Sequence, residues 1–157
     1  MKTHEFMRLA IASARRGYRK GWGGPFGACI AKEGRVLAVA HNSVLHARQA
    51  TRHAEICAIE EASKRLKTHQ LAGCELYSTT EPCVMCFAAI NWARIPRVYF
   101  GTTVADAKKL GFNELMISDA TLKRLGGSAI RLRSGFLRDE CRGLLEEWRR
   151  FPGRHTY

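Results

Sequence analysis

Two short stretches carry side chains able to do chemistry together. In "EPCVMC", Cys83 and Cys86 stand three apart directly after Pro82, and upstream "HAE" puts His53 two residues before Glu55. A lone C-x-x-C has three readings: a redox pair, half of a structural zinc site, or part of a catalytic one. A redox pair leaves "HAE" without a role. A structural site wants a fourth Cys or His, and there is no second C-x-x-C. His53, Cys83 and Cys86 offer one nitrogen and two sulfurs, a donor set zinc prefers, and leave the fourth tetrahedral position for water. Two thiolates and a neutral imidazole balance a divalent ion, which makes its water acidic near neutral pH. Glu55 is not needed as a ligand, so it is the candidate to take that water's proton and pass it on.

For these residues to meet, two distant segments must deliver them to one point. Residues 4–20 form an amphipathic helix, with Met7, Ala10, Ile11, Ala14 and Tyr18 on one stripe. "FGACIA" and "RVLAVAHN" read as a β-hairpin with Gly34 in its turn, and "SVLHARQAT" as a loop. "HAEICAIEEASKRL" repeats Ile56, Ile59, Ala62 and Leu66 at helical spacing. Then come a strand "CELYSTT", a helix "CVMCFAAINWAR", a strand "RVYFGTT" and an irregular region through Gly111. A short helix around "DATLKRL", a fifth strand "SAIRLRS" and a last helix from near Leu137 complete the order. In that last helix Leu137, Cys141, Leu144, Leu145 and Trp148 face inward. The order predicts one α/β domain over residues 1–157, a three-layer sandwich with a five-stranded sheet between helices. Cys83 and Cys86 then share one face of a helix's first turn, where the dipole favours thiolates. If the two internal helices lie side by side, their N-termini bring His53 and Glu55 to the same edge.

Composition sets the limits. At 46% hydrophobic and 25% charged, the chain matches a soluble globular domain, and no apolar run is long enough to span a bilayer. The N-terminus "MKTHEFMRLA" lacks the apolar core and cleavage site of a signal peptide, so a cytoplasmic location is expected. Cys29, Cys57, Cys74 and Cys141 are scattered singly among apolar residues and read as buried hydrophobes, not as a disulfide framework. The net charge of +12 suggests an anionic partner, nucleic acid first. Yet the positive residues are spread along the chain without interleaved aromatics, which suits a solvated basic surface equally well.

The joint pattern is specific: H-A-E, then twenty-six residues, then P-C-V-M-C. It matches the H-x-E…P-C-x-x-C signature of zinc nucleobase deaminases. Over nearly its whole length the sequence resembles the cytidine deaminase-like superfamily, which implies a five-stranded mixed sheet flanked by helices and one Zn²⁺ per subunit. Two branches share "HAE" and "EPCxMC": bacterial guanine deaminases and tRNA adenosine deaminases. "GGPFGA" at 23–28, "CFAAINWAR" and "LGFNE" at 110–114 resemble the guanine branch. That resemblance implies Phe26 stacking on a purine, Asn42 bonding its edge, and Glu114 accepting from N1–H and the 2-amino group. It also implies contacts from Ala54 and Trp92, and a lid formed by Tyr157. The helix and tail from about residue 137 would cover this site or, by swapping, a neighbour's, in a homodimer. Two departures stand out: a basic loop with His46, Arg48 and Arg52 before "HAE", and Asn113 where the branch often has Asp. The expected reaction is guanine to xanthine plus ammonia. The alternatives are tRNA adenosine-to-inosine editing, deamination of guanosine or another amino-heterocycle, and an inactive zinc-stabilised nucleic-acid-binding protein.

Overall fold

A computed structural model describes residues 1–157. The chain runs α1 (Thr3–Arg19), β1 (Gly27–Lys32), β2 (Arg35–His41), α2 (Val44–Ala47), α3 (Ala54–Leu66), β3 (Cys74–Thr80) and α4 (Val84–Trp92). It continues through β4 (Arg97–Thr102), α5 (Val104–Lys109), α6 (Asp119–Gly126), β5 (Arg131–Arg133) and α7 (Arg138–Arg149). The strands form one mixed sheet in the order β2-β1-β3-β4-β5. β1 pairs antiparallel with β2 and β3, whereas β3–β4 and β4–β5 are parallel. Parallel neighbours need crossover connections; α4 supplies the first, and α5 and α6 the second.

Both faces of the sheet are covered, so β1 is buried along nearly its whole length. Ala28 and Ile30 point into a core shared with Ala54 and Ala58 of α3 and with Phe87 and Ile90 of α4. Cys29 and Ala31 point to the opposite core, under Met7, Ile11 and Tyr18 of α1 and Leu144 and Trp148 of α7. The expected three-layer α/β arrangement is therefore present. No helix is long and apolar enough to cross a membrane.

Four local expectations need correction. Residues 44–47, read as loop, make one helical turn, because the Leu45 and His46 amides both donate to the Trp22 carbonyl (3.0 and 3.1 Å). That anchor is tertiary and leaves no periodic signal. The region read as irregular holds α5, started by a capping box: Thr103 Oγ1 accepts from the Asp106 amide (3.3 Å), and Asp106 Oδ2 accepts from the Thr103 amide (2.9 Å). β5 shrinks to residues 131–133, a short edge strand, while α7 starts next to Leu137 as expected, behind that residue's left-handed backbone (φ 50°). Cys57 is only partly buried, its sulfur 3.7 Å from Ser43 Oγ, while the other three single cysteines are buried as expected.

The "GGPFGA" stretch owes two of its glycines to close packing. A Cβ on Gly27 would sit 2.0 Å from the Ala10 carbonyl oxygen, so only glycine lets α1 approach β1. A Cβ on Gly23 would fall 2.1 Å from Asn42 Oδ1, the side chain that this turn must seat.

Candidate active site

The N-termini of α3 and α4 converge beyond the end of β3. His53 and Cys83 are the N-cap residues of these helices, one position ahead of the first turns where they were expected, and Cys86 lies within the first turn of α4. His53 Nδ1 lies 3.5 Å from Cys83 Sγ and 3.6 Å from Cys86 Sγ. All three donor atoms fall within 4.8 Å of one another. Zinc bonds of about 2.0–2.1 Å to nitrogen and 2.3 Å to sulfur, at a tetrahedral angle, put the two donors about 3.6 Å apart. The spacing and chemistry of the donors fit that ion.

Electrostatics divide the two sulfurs. A hydrogen bond from Cys86, and then His53, draw the Cys83 thiol down to about 4, so it ionises readily. Cys86 is held well above the ordinary range by donating to Cys83 and by burial. For His53, burial works against the charged form, but Cys83 and Glu55 outweigh it and raise the pKa. Glu55 is 6% exposed. Its Oε1 accepts from Ser78 Oγ (3.0 Å) and its Oε2 from Cys86 Sγ (3.5 Å). Burial pushes its pKa up.

These residues open onto a cavity of about 360 Å³, inside the usual range for small-molecule sites. Phe26 and Asn42 form one wall. The Phe26 ring meets Phe112 edge-on at 4.8 Å. Asn42 is buried, and its Oδ1 accepts from the Val44 amide (3.1 Å). Glu114, half-buried, also lines the cavity. Burial first, and the Cys83 charge second, lift its pKa to about 7. Tyr157 closes a further side of the chain's own cavity. Its hydroxyl accepts from the Gly24 amide (3.2 Å), and its carbonyl from the Asn113 amide (2.9 Å).

A family profile described as the cytidine and deoxycytidylate deaminase zinc-binding region matches residues 1–102. The chain belongs to this family. The guanine deaminase of Bacillus subtilis is 41% identical over 74% of this chain and 75% of its own. The tRNA-specific adenosine deaminase of Aquifex aeolicus is 48% identical over a shorter span, 64% of this chain and 66% of its own. Among solved structures, the guanine deaminase of Nitrosomonas europaea superposes with a TM-score of 0.85 at 30% identity, over 94% of this chain and 85% of that one.

Not every expected residue of this deaminase reaches the cavity. Trp92 is corrected: it is 82% exposed at the far end of α4, nine residues beyond Cys83 and so about 13 Å along the helix. The α4 face that carries Cys83 and Cys86 continues through Phe87 and Ile90 into the core, and Trp92 is off that stripe. Ala54 is fully buried and packs in the α3–sheet core, not on the cavity wall. Conversely, Phe112 and Glu81 line the cavity without having stood out in the sequence. Phe112 lay within the quoted "LGFNE" and Glu81 within "EPC", so the signal was present but credited to their neighbours. Asp119 gave no signal. It is fully buried, and neither carboxylate oxygen has a hydrogen-bond partner. Burial, then Glu81, push its pKa up to about 9.

Proposed function

We propose that the protein is a zinc-dependent aminohydrolase that converts guanine and water to xanthine and ammonia. The observation that carries this reading is the entry of Glu114 into the same cavity as Glu55, His53 and Cys83. Guanine presents two adjacent donors, N1–H and the 2-amino group, and a carboxylate accepts from both. Adenine N1 is an acceptor and repels an ionised one. A site built around such a pair rejects a base lacking the donors far more strongly than an apolar pocket could.

His53, Cys83 and Cys86 would hold the metal, which when bound lowers the pKa of a water molecule toward 7. Glu55 would accept the proton of the attacking water as the water oxygen adds to C2 of the purine. It delivers the proton to the ring nitrogen and afterwards to the departing amine, so that ammonia leaves and the carboxylate is restored. Ser78 fixes Glu55 Oε1; Oε2 is bonded by Cys86 and would be left to move the proton once the Cys86 sulfur is given over to the metal. Phe26 packs against the base, and Asn42, its oxygen engaged by Val44 and its side chain bonded to Tyr157, meets the purine edge. Tyr157 excludes water from one side.

One feature favours a second reading, adenosine deamination in a tRNA loop. Arg48 is exposed in the basic loop next to Ala50, which lines the cavity, and the net charge is +12. Ammonia release from guanine, guanosine, adenine, cytosine, cytidine and a tRNA anticodon stem-loop separates the two. Turnover of guanine supports the first reading, and turnover of the stem-loop alone replaces it with the second. An inactive nucleic-acid-binding role has least support, because a structural metal site needs no Glu55.

A homodimer belongs to the same reading. Trp92 and Leu125 stand 82% and 71% exposed on α4 and α6, apolar surface that a second copy would cover. A monomeric mass by light scattering would contradict it.

A further inference from the structure

Glu81 is buried, 7% exposed, directly ahead of the Pro82–Cys83 turn that starts α4. Its side chain does not approach the donors of the metal cluster. Oε2 accepts from the amide of Val104 (3.1 Å), the first residue of α5. Oε1 accepts from the amide of Asp119 (2.9 Å), the first residue of α6. Its own amide donates to the Thr102 carbonyl (2.8 Å), at the end of β4. One carboxylate therefore fastens both ends of the stretch that carries Phe112, Asn113 and Glu114 into the cavity.

Otherwise that stretch is held by one core side chain, Phe112, which is buried and packs against Phe26, Trp148 and Tyr157; beyond Phe112 it has little to hold it. Residues 110–118 have no regular secondary structure, and Leu115, Met116 and Ile117 are exposed. Its backbone bonds are mostly short-range: the Glu114 amide donates to Phe112 and the Ile117 amide to Leu115, each at 2.9 Å. The Asn113 amide reaches the tail at Tyr157. A buried carboxylate suits the two anchor points, because the first amides of a helix have no partner within it and attract negative charge. Asp119, unpaired beside Glu81, contributes no competing acceptor to these amides.

We propose that Glu81 is a positioning residue that clamps the substrate-reading arm, residues 110–118, to the metal-binding turn. The separation between Glu114 and the metal ligands is set through it. This rests on the reading of Glu114 as the group that recognises guanine.

The test is Glu81→Gln, which keeps the shape but turns an NH₂ toward one of the two amides and removes the charge. Zinc content is expected to match wild type, while kcat/KM for guanine falls about tenfold, the loss of one charged hydrogen bond. Glu81→Gln combined with Glu114→Ala is expected to be no worse than Glu114→Ala alone, because Glu81 acts through Glu114. Multiplying losses would overturn the clamp. Amide hydrogen exchange supplies a readout that needs no substrate. In Glu81→Gln, peptides covering 112–119 are expected to exchange at least about tenfold faster, with residues 53–60 unchanged. An arm exchanging as in wild type, or uniform acceleration everywhere, would overturn the proposal whatever the substrate. Failure of wild type on guanine would instead remove the Glu114 reading, and exchange alone would then decide the clamp. Should Glu81→Gln not fold, Asp119→Pro deletes the α6 donor where proline is tolerated and is expected to loosen the same arm.

Discussion

The two sides of the cavity are built by different means. On the metal side, His53, Glu55, Cys83 and Cys86 sit on the first residues of two helices whose inner faces are packed against the sheet. Each helix fixes its own residues relative to one another, and the sheet fixes the helices. In the same cavity, Glu114 sits on an irregular arm whose place depends on the buried Phe112, on Glu81, on the tail and on a few short-range backbone bonds. The metal side has rigid spacing and little choice of chemistry. The arm has irregular backbone and, in the reading proposed above, carries the choice of substrate. Such a division lets one scaffold keep its reaction while the arm alters what it acts on.

Changes on the metal side are therefore expected to abolish turnover, and changes on the arm to shift which base is turned over. The largest effect belongs to Glu55→Gln: a loss of about 10²–10⁴-fold in kcat, the usual worth of a general base, with zinc content unchanged by metal analysis. Surviving activity would mean that Glu55 does not carry the proton. Next comes Glu114→Ala, expected to cost about 10²-fold in kcat/KM for guanine with the melting temperature nearly unchanged. Equal damage to folding would make Glu114 a structural residue and erase the contrast between the two sides.

The pH profile sharpens the comparison further. Glu114 must be ionised to accept both guanine donors, and burial raises its pKa, so an acid limb in kcat/KM is expected above the ordinary carboxylate range. Glu114→Gln is expected to remove that limb and leave the one due to Glu55. The smallest effect concerns stability. Asp119, with a folded-state value of about 9 against an ordinary 3.8, holds its proton more tightly folded than unfolded. Its contribution is fully present below about pH 4 and is lost progressively as the pH rises through 9. Glu81, Glu55 and Cys83 are the charges that face it. Asp119→Asn cannot ionise, so its melting temperature is expected to exceed that of wild type by a few degrees at pH 8 and to match it near pH 4. A deficit at pH 8 would contradict the buried neutral acid.

The same division explains what could be read from the sequence. His53, Glu55, Cys83 and Cys86 were legible because each half of the H-x-E…P-C-x-x-C pattern is local and the two together match a known signature, and short extended runs between helical segments marked all five strands. Glu114 was reached only through resemblance, since a carboxylate in a loop has no periodicity to mark it. The Glu81 bonds to Val104 and Asp119 span 23 and 38 residues, so no sequence window contains them. Trp92 was misplaced because its segment resembles a known helix, whereas the side chain's direction follows from register with Cys83 and Cys86.

The central claim is that an arm-borne carboxylate makes the zinc site a guanine site. The most direct measurement is kcat/KM of the zinc-loaded protein for guanine, followed as xanthine formation, beside that for a tRNA anticodon stem-loop. Rapid xanthine formation, no detectable inosine, and a preference that collapses in Glu114→Ala are expected. Inosine formed in the stem-loop with no xanthine from guanine would contradict it, and would move substrate choice from Glu114 to the basic loop around Arg48.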